Sequence, residues 1–365
     1  MQLIQRVLQN AEERRNRILS GKVNCIPSPF KSFRFDFPGV ELGTYYLISG
    51  GAKASKSKIT NFLFLYNTIL YAYNHPELVK IKIFYALLEE KAENITGKFI
   101  CYLLYELSKH KIRIDIKTFR SVDEGRILPS EILDLLNTFE YQAILNFYEE
   151  HVVFIPDRNP TGIFHTLEKY AEANGTIHRK KVEGYNKEVF DYYEPNNPDE
   201  YVLCIIDHIG LISTERGMDL RNSIKKLSEY LKIVRNKYNY IPVVVQQQNS
   251  QTLSLDAFKA NKIKPSQSGL LDCQDTSRDC DIFFGITSPY AFELREFCRY
   301  DITKLRSYCK FLEVVQGRDG ESNAILGMYF DGAVGYYTPL PKYDNLQELN
   351  KVYQLIKRNQ ESVSK

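Results

Sequence analysis

The chain has 365 residues, a charged fraction of 25% and a net charge of only +3, which suits one large domain with appendages and excludes a globally basic protein that coats nucleic acid. No run of about 18 apolar residues occurs, and the first twenty residues carry Arg6, Arg14, Arg15 and Arg17 in place of a secretory leader, so a cytoplasmic protein without a membrane partner is expected. Seven scattered cysteines include no Cys-x-x-Cys pair, which argues against structural zinc and against a disulfide framework.

In chain order, residues 1–22 place Leu3, Ile4, Val7, Leu8, Ala11 and Ile18 on one helical stripe. The stripe serves either as a helix packed on its own domain or as an arm that docks on a neighbouring subunit. An apolar strand at Tyr45 to Ile48 then stops at two glycines and restarts at Lys56 and Ser57, with Ile59, Phe62, Leu63, Tyr66, Ile69 and Leu70 at helical spacing. This is the pattern of a phosphate-binding loop, in which free backbone N–H groups and a helix N-terminus face an anion. Gly50, Gly51, Ala52, Lys53, Ala54, Ser55, Lys56 and Ser57 fit Gly-x-x-x-x-Gly-Lys-[Ser/Thr] except at the second glycine, where Ser55 stands. An ordinary strand-to-helix turn is the competing reading.

Residues 81–88 read as a second strand running into Glu89 and Glu90. A carboxylate there lies where an open α/β sheet puts its chemistry, or else simply opens the next helix. Helices are expected over 95–107, 130–147 and 161–173, with a strand at 151–156 before the last of them. Residues 174–200 form a polar surface insertion without an assigned structure. The apolar run from Tyr201 ends in Asp207 and His208, a suitable place for a Mg²⁺-holding carboxylate downstream of a phosphate loop. A basic amphipathic helix at 221–240 and a strand from Ile241 to Val245 follow, and the latter leads into Gln246-Gln-Gln-Asn249. Next come a loop with Lys259, Lys262 and Lys264 and a strand beginning near Asp279. Strands at 310–316 and 323–330 flank Arg318-Asp-Gly320, a hairpin with an arginine at its tip. A helix starts at Asp344.

Strands alternating with helices imply an α/β fold, a RecA-like P-loop NTPase with a mostly parallel central sheet flanked by helices, plus a C-terminal β-hairpin. The ordered motifs resemble the C-terminal motor domain of DnaB-type replicative helicases. The resemblance rests on the phosphate loop, Leu88-Glu-Glu-Lys-Ala-Glu-Asn-Ile95, Phe154-Ile-Pro-Asp157, Ile206-Asp-His208, Val243 to Asn249, Ser268-Gly-Leu270 with Asp279-Cys-Asp281, and Gln316-Gly-Arg-Asp-Gly320. Ser55, His208, Leu271 and Gln316 depart from the family pattern, and no counterpart of the family's N-terminal helical domain is expected. The resemblance assigns the motor domain to residues 23–340 and leaves 341–365 as a C-terminal helix.

The resemblance implies ATP and Mg²⁺ as cofactors. Lys56 takes the β- and γ-phosphates, Ser57 and Asp207 hold the metal, Glu89 activates water and Gln247 senses the γ-phosphate. Arg318 acts on a neighbour's nucleotide, which requires a homo-oligomer, the family's hexamer. Single-stranded DNA is expected on Arg216 and Arg221 in 211–222 and on Lys259, Lys262 and Lys264 in 250–268, with solvated side chains as the alternative. A primase or a loader is a further implied partner, in a bacterial, phage or plasmid replication system. The alternative function is a RecA-like nucleotide-binding protein with weak or no turnover, acting as a DNA-binding or assembly factor; a motor that moves or pairs DNA without unwinding it is the third.

Overall fold

A computed structural model of the chain describes residues 3–181, 188–249, 263–318 and 324–361. Helix α1 (Leu3–Leu19) is followed by a two-stranded ribbon, β1 (Cys25–Pro27) with β2 (Gly39–Glu41). Strand β3 (Tyr46–Gly50) leads through the phosphate-loop segment into α2 (Lys56–Thr60), which continues through a π-helical turn (Asn61–Tyr66) into α3 (Asn67–Asn74). Then come β4 (Lys80–Leu87), α4 (Ala92–Leu107), α5 (Ile116–Phe119), α6 (Ser130–Leu136), α7 (Phe139–His151), β5 (Val152–Ile155) and α8 (Pro160–Ala173). After β6 (Gly175–Lys180) and β7 (Val189–Pro195) the chain forms β8 (Glu200–Asp207), α9 (Leu220–Tyr238) and β9 (Ile241–Gln247). The last part contains α10 (Asp275–Asp279), β10 (Ile282–Thr287), the short ribbon β11 (Glu296–Phe297) and β12 (Tyr300–Asp301), and α11 (Ile302–Leu305). It closes with β13 (Cys309–Gly317), β14 (Ile325–Asp331), β15 (Tyr336–Pro339) and α12 (Leu346–Glu361).

Nine strands make one sheet in the order β15-β14-β13-β10-β3-β9-β8-β4-β5. The six from β10 to β5 are mutually parallel, while β13, β14 and β15 add antiparallel at one edge. The strands are apolar without interruption because both faces are covered. Along β8, Tyr201, Leu203 and Ile205 enter one core with Tyr46, Ile48, Ile59 and Phe99. The alternate residues Val202, Cys204 and Ile206 enter the other with Ile163, Leu167, Ile224 and Leu231. This alternation of period two splits one run of sequence between two cores.

Three expectations change. The single helix over 130–147 is two, α6 and α7, separated where Asn137 caps the first and Thr138 precedes the second in extended conformation. The insertion at 174–200 contains an antiparallel hairpin, β6 with β7, whose Tyr193 packs on Tyr238 of α9 and donates its hydroxyl to Ala171 O. Lys264, expected to be free for DNA, pairs with Glu313 of β13 at 3.0 Å. Lys259, Lys262 and the Asp319-Gly320 turn lie outside the described residues.

The stripe on α1 is not covered by its own domain: Ile4, Val7, Leu8, Ile18 and Leu19 are all exposed. Arg17 to Asp199 at 2.5 Å and Arg14 to Glu41 at 3.1 Å tie the helix to the body. Among the described residues no helix is long and apolar enough to cross a membrane.

Candidate active site

The parallel strands bring their C-terminal ends to one crevice, the position at which open α/β sheets hold ligands. β3 lies between β10 and β9 and delivers Gly50, with β9 delivering Gln247 directly beside it in register. β8 delivers Asp207, aligned with Leu87 of β4, two residues before Glu89. Gly50 is required by the fold itself, since a Cβ there would meet Ile286 O at 2.5 Å. Ala52, Lys53, Ser55, Lys56, Ser57, Lys58, Glu89, Glu90, Lys98, His208 and Gln247 line an open cleft of about 440 Å³.

The helical run from Lys56 begins on Ser55, which stands at φ +74° and ψ +32°, left-handed backbone that favours glycine. The chain adopts the turn although a side chain is present, and the Ser55 hydroxyl makes no capping bond in return. Ser55→Gly is therefore expected to raise the unfolding free energy by about 1 kcal/mol, the usual cost of a non-glycine residue in this region. Urea denaturation measures it, and a loss of stability would mean the hydroxyl has a role.

Lys56 is buried, and its Nζ donates to Gly51 O at 2.9 Å, folded back on the loop. Burial lowers its pKa, partly opposed by Asp207 and Glu89. Ser57 Oγ donates to Asp207 Oδ1 at 2.9 Å, and Tyr85 OH stands 3.2 Å from Asp207 Oδ2. Burial pushes the Asp207 carboxyl up to about 6. Glu89 is exposed to the cleft, while its neighbour Glu90 is paired with Lys98 at 2.5 Å. His208 Nδ1 accepts from Gly210 N–H at 3.1 Å, so its Nε2 carries the proton that faces Gln247 Oε1 at 3.4 Å. Burial lowers the His208 pKa, which keeps the ring neutral.

Among the described residues no cluster of three His, Cys, Asp or Glu side chains is arranged to hold a metal ion. The Ser57 hydroxyl and a buried Asp207 carboxylate that lacks a cationic hydrogen-bond partner are hard oxygen donors, and Mg²⁺ commonly takes one or two such ligands together with substrate phosphates. The donor set fits Mg²⁺ carried with a nucleotide.

Lys56, Ser57, Asp207, Glu89 and Gln247 thus meet in or beside one cleft, whereas Arg318 does not. Gly317 pairs with Ile282 at the start of β10, and Ile282 pairs with Tyr46 at the start of β3. Arg318 is thereby a strand length, roughly 16 Å, from the phosphate-loop end. Its Nη1 meets Asp281 Oδ1 at 2.9 Å, and its backbone N–H donates to Asp281 O at 3.0 Å. Arg216 and Arg221 are exposed beyond the end of β8. Tyr85, Lys98 and Arg158 were missed by sequence reasoning. Nothing local marks them, because their roles come from the pairing of β4 with β8 and from contacts across loops.

No protein-family model matches the sequence, and no curated protein matches it. Solved structures do. One is described in its own heading as an "ATPase Domain", with a TM-score of 0.63 at 13% identity over 93% of this chain and 99% of that one. Another, "The Structure Of A DnaB-Like Replicative Helicase And Its Interactions With Primase", matches with a TM-score of 0.60 at 13% identity over 93% of this chain and 67% of that one. The chain therefore has the fold of DnaB-like helicase ATPase domains, a RecA-like mostly parallel sheet flanked by helices.

Proposed function

We propose that the chain is an ATP-driven DNA helicase motor, a hexameric ring that translocates on single-stranded DNA and hydrolyses ATP at its subunit interfaces. The observation that carries this reading is the convergence of Lys56, Ser57, Asp207, Glu89 and Gln247 at the C-terminal ends of neighbouring parallel strands. Phosphoryl transfer asks a protein mainly for positioning and charge stabilisation, and these residue types supply both.

Entry of a triphosphate gives Lys56 Nζ a stronger acceptor than Gly51 O, so the lysine turns from its loop to the β- and γ-phosphates. Ser57 and Asp207 hold Mg²⁺, which neutralises charge on the phosphate oxygens when bound. Glu89, exposed to the cleft, orients the attacking water and takes its proton. Gln247, beside His208 and at the end of β9, reads the γ-phosphate and passes its state to the segment that follows. Arg318 completes the neighbour's site, and the uncovered stripe of α1 docks on the adjoining subunit. Arg216, Arg221, Lys259, Lys262 and Lys264 face backbone phosphates of DNA, Lys264 by giving up Glu313, which makes binding sequence-independent and salt-sensitive. A primase or loader is the accessory partner.

DNA-stimulated ATP hydrolysis and strand separation, with Lys56→Ala as control, test the proposal. The variant is expected to lose nucleotide binding and all turnover. Absence of hydrolysis by the wild type under every DNA and magnesium condition would remove the enzymatic reading, and mass measurement with and without ATP and single-stranded DNA tests the ring. Ser55 in left-handed backbone favours one second reading, a nucleotide-binding assembly factor with slow turnover. Tight ATP binding without hydrolysis, and hydrolysis restored by Ser55→Gly, would select it.

A further inference from the structure

Arg158 sits in the turn between β5 and α8, outside the cleft residues described above. Its Nη2 donates to Leu88 O at 2.7 Å, the carbonyl immediately before Glu89. Its own carbonyl accepts from Ser213 N–H at 2.6 Å. Ser213 belongs to the 211–222 segment that carries Arg216 and Arg221. The same segment is fastened to this turn a second time, because Thr161 N–H donates to Glu215 Oε1 at 2.8 Å. Lys226 of α9 pairs with the other oxygen of Glu215. One residue therefore touches both the segment beyond Asp207 and the turn that presents Glu89.

We infer that Arg158 is a positioning residue that couples occupancy of the 211–222 segment by single-stranded DNA to the placement of Glu89 in the cleft. The inference rests on the motor reading above. Its physical basis is that Arg158 is engaged at both ends. A phosphate that draws Arg216 or Arg221 shifts Ser213, Ser213 carries the Arg158 backbone, and the planar guanidinium transmits the shift to Leu88 O. The element with two positions is the turn over residues 88–91, since Glu89 itself is exposed while Leu88 and Glu90 are held by Arg158 and Lys98. Glu89 moves only as far as these two anchors allow.

The test uses the full chain as wild type, Arg158→Met and Arg158→Lys, with oligothymidylate as the DNA. ATP turnover is measured with and without DNA, together with the KM for ATP and the Kd for the oligonucleotide. Arg158→Met is expected to lose at least about fivefold of the DNA stimulation, the lower end of ordinary coupling between sites, with KM and Kd within about twofold of wild type. Arg158→Lys keeps a donor for Leu88 O and recovers most of the stimulation. Hydrogen exchange over residues 86–91 gives a readout free of turnover: adding DNA changes protection in the wild type and leaves Arg158→Met unchanged. Undiminished stimulation in Arg158→Met, or an equal loss of oligonucleotide affinity, overturns the coupling. A wild type that hydrolyses no ATP instead sinks the motor reading, and the exchange measurement then decides the coupling by itself.

Discussion

Arg318→Ala is expected to lower DNA-stimulated ATP turnover by about 10³-fold or more, as loss of an arginine supplied to a neighbour's phosphates does, while ATP affinity measured on the isolated chain stays unchanged. The split follows from the sheet. Arg318 stands at the end of β13 that pairs with the beginning of β10, opposite the phosphate loop, so it reaches no phosphate of its own subunit. It is nevertheless prepared for use, because Asp281 holds both its guanidinium and its backbone N–H. Asp281 does not depend on it in return. The other carboxylate oxygen accepts from Arg235 at 2.5 Å and from Tyr45 N–H at 2.8 Å. Release of Arg318 toward a partner therefore leaves no uncompensated buried charge, the circumstance that makes breaking an ion pair costly. Mixing Arg318→Ala with Lys56→Ala chains provides the decisive arm. An interface with the phosphate loop of the first and the arginine of the second is intact, and activity returns in the mixture alone. Full activity of Arg318→Ala by itself, or mixtures as inactive as their components, would discard the role in trans.

The parts of this arrangement that were legible in the sequence are those in which local pattern and tertiary role coincide. Strands buried on both faces read as unbroken apolar runs, so β3, β4, β8 and β9 are visible without a partner, and each ends on a residue that faces the cleft. The phosphate loop is legible because its chemistry is contiguous from Gly50 to Ser57. The hairpin β6–β7 is not, since only one of its faces is apolar. Ile177, Phe190 and Tyr193 pack while the residues between them stay polar, so the stretch resembles a loop. The covered or uncovered state of α1 is likewise invisible, because an amphipathic stripe has the same periodicity whether its partner is its own domain or another chain. Tyr85, Lys98 and Arg158 act through neighbours 122, 8 and 70 positions away in sequence. No spacing rule finds such contacts before the strand order is known.

Lys310→Met is expected to stabilise the protein by about 2 kcal/mol at pH 7, a gain that disappears as the pH approaches the ordinary lysine range. Lys310 lies on β13 with only 4% of its surface exposed. Its Nζ donates to Ser288 Oγ at 2.6 Å and stands 5.3 Å from the centroid of Phe330, a ring shared with Lys58 at 5.5 Å. Burial is the main cause that lowers its pKa from 10.5 to about 8, with the Lys58 charge adding in the same sense. A base whose folded pKa is depressed binds fewer protons when folded than when unfolded between pH 8 and 10.5. Stability therefore rises with pH through that window, and below it the whole penalty, about 3 kcal/mol, remains. Methionine has similar length and a thioether that packs well on an aromatic ring. It removes the penalty, while losing the Ser288 partner returns about 1 kcal/mol. Urea denaturation at pH 7 and pH 10 measures the difference, and an equal effect at both values, or destabilisation at pH 7, would refute the charge-burial account. The position explains why such a cost is carried. Ser288 shares a small recess with Gly51 and Ala52 of the phosphate loop, so a cation held on Ser288 adds positive potential behind the anion site. The same substitution should accordingly weaken ATP binding while it strengthens the fold, which is the exchange of stability for function expected next to a binding loop.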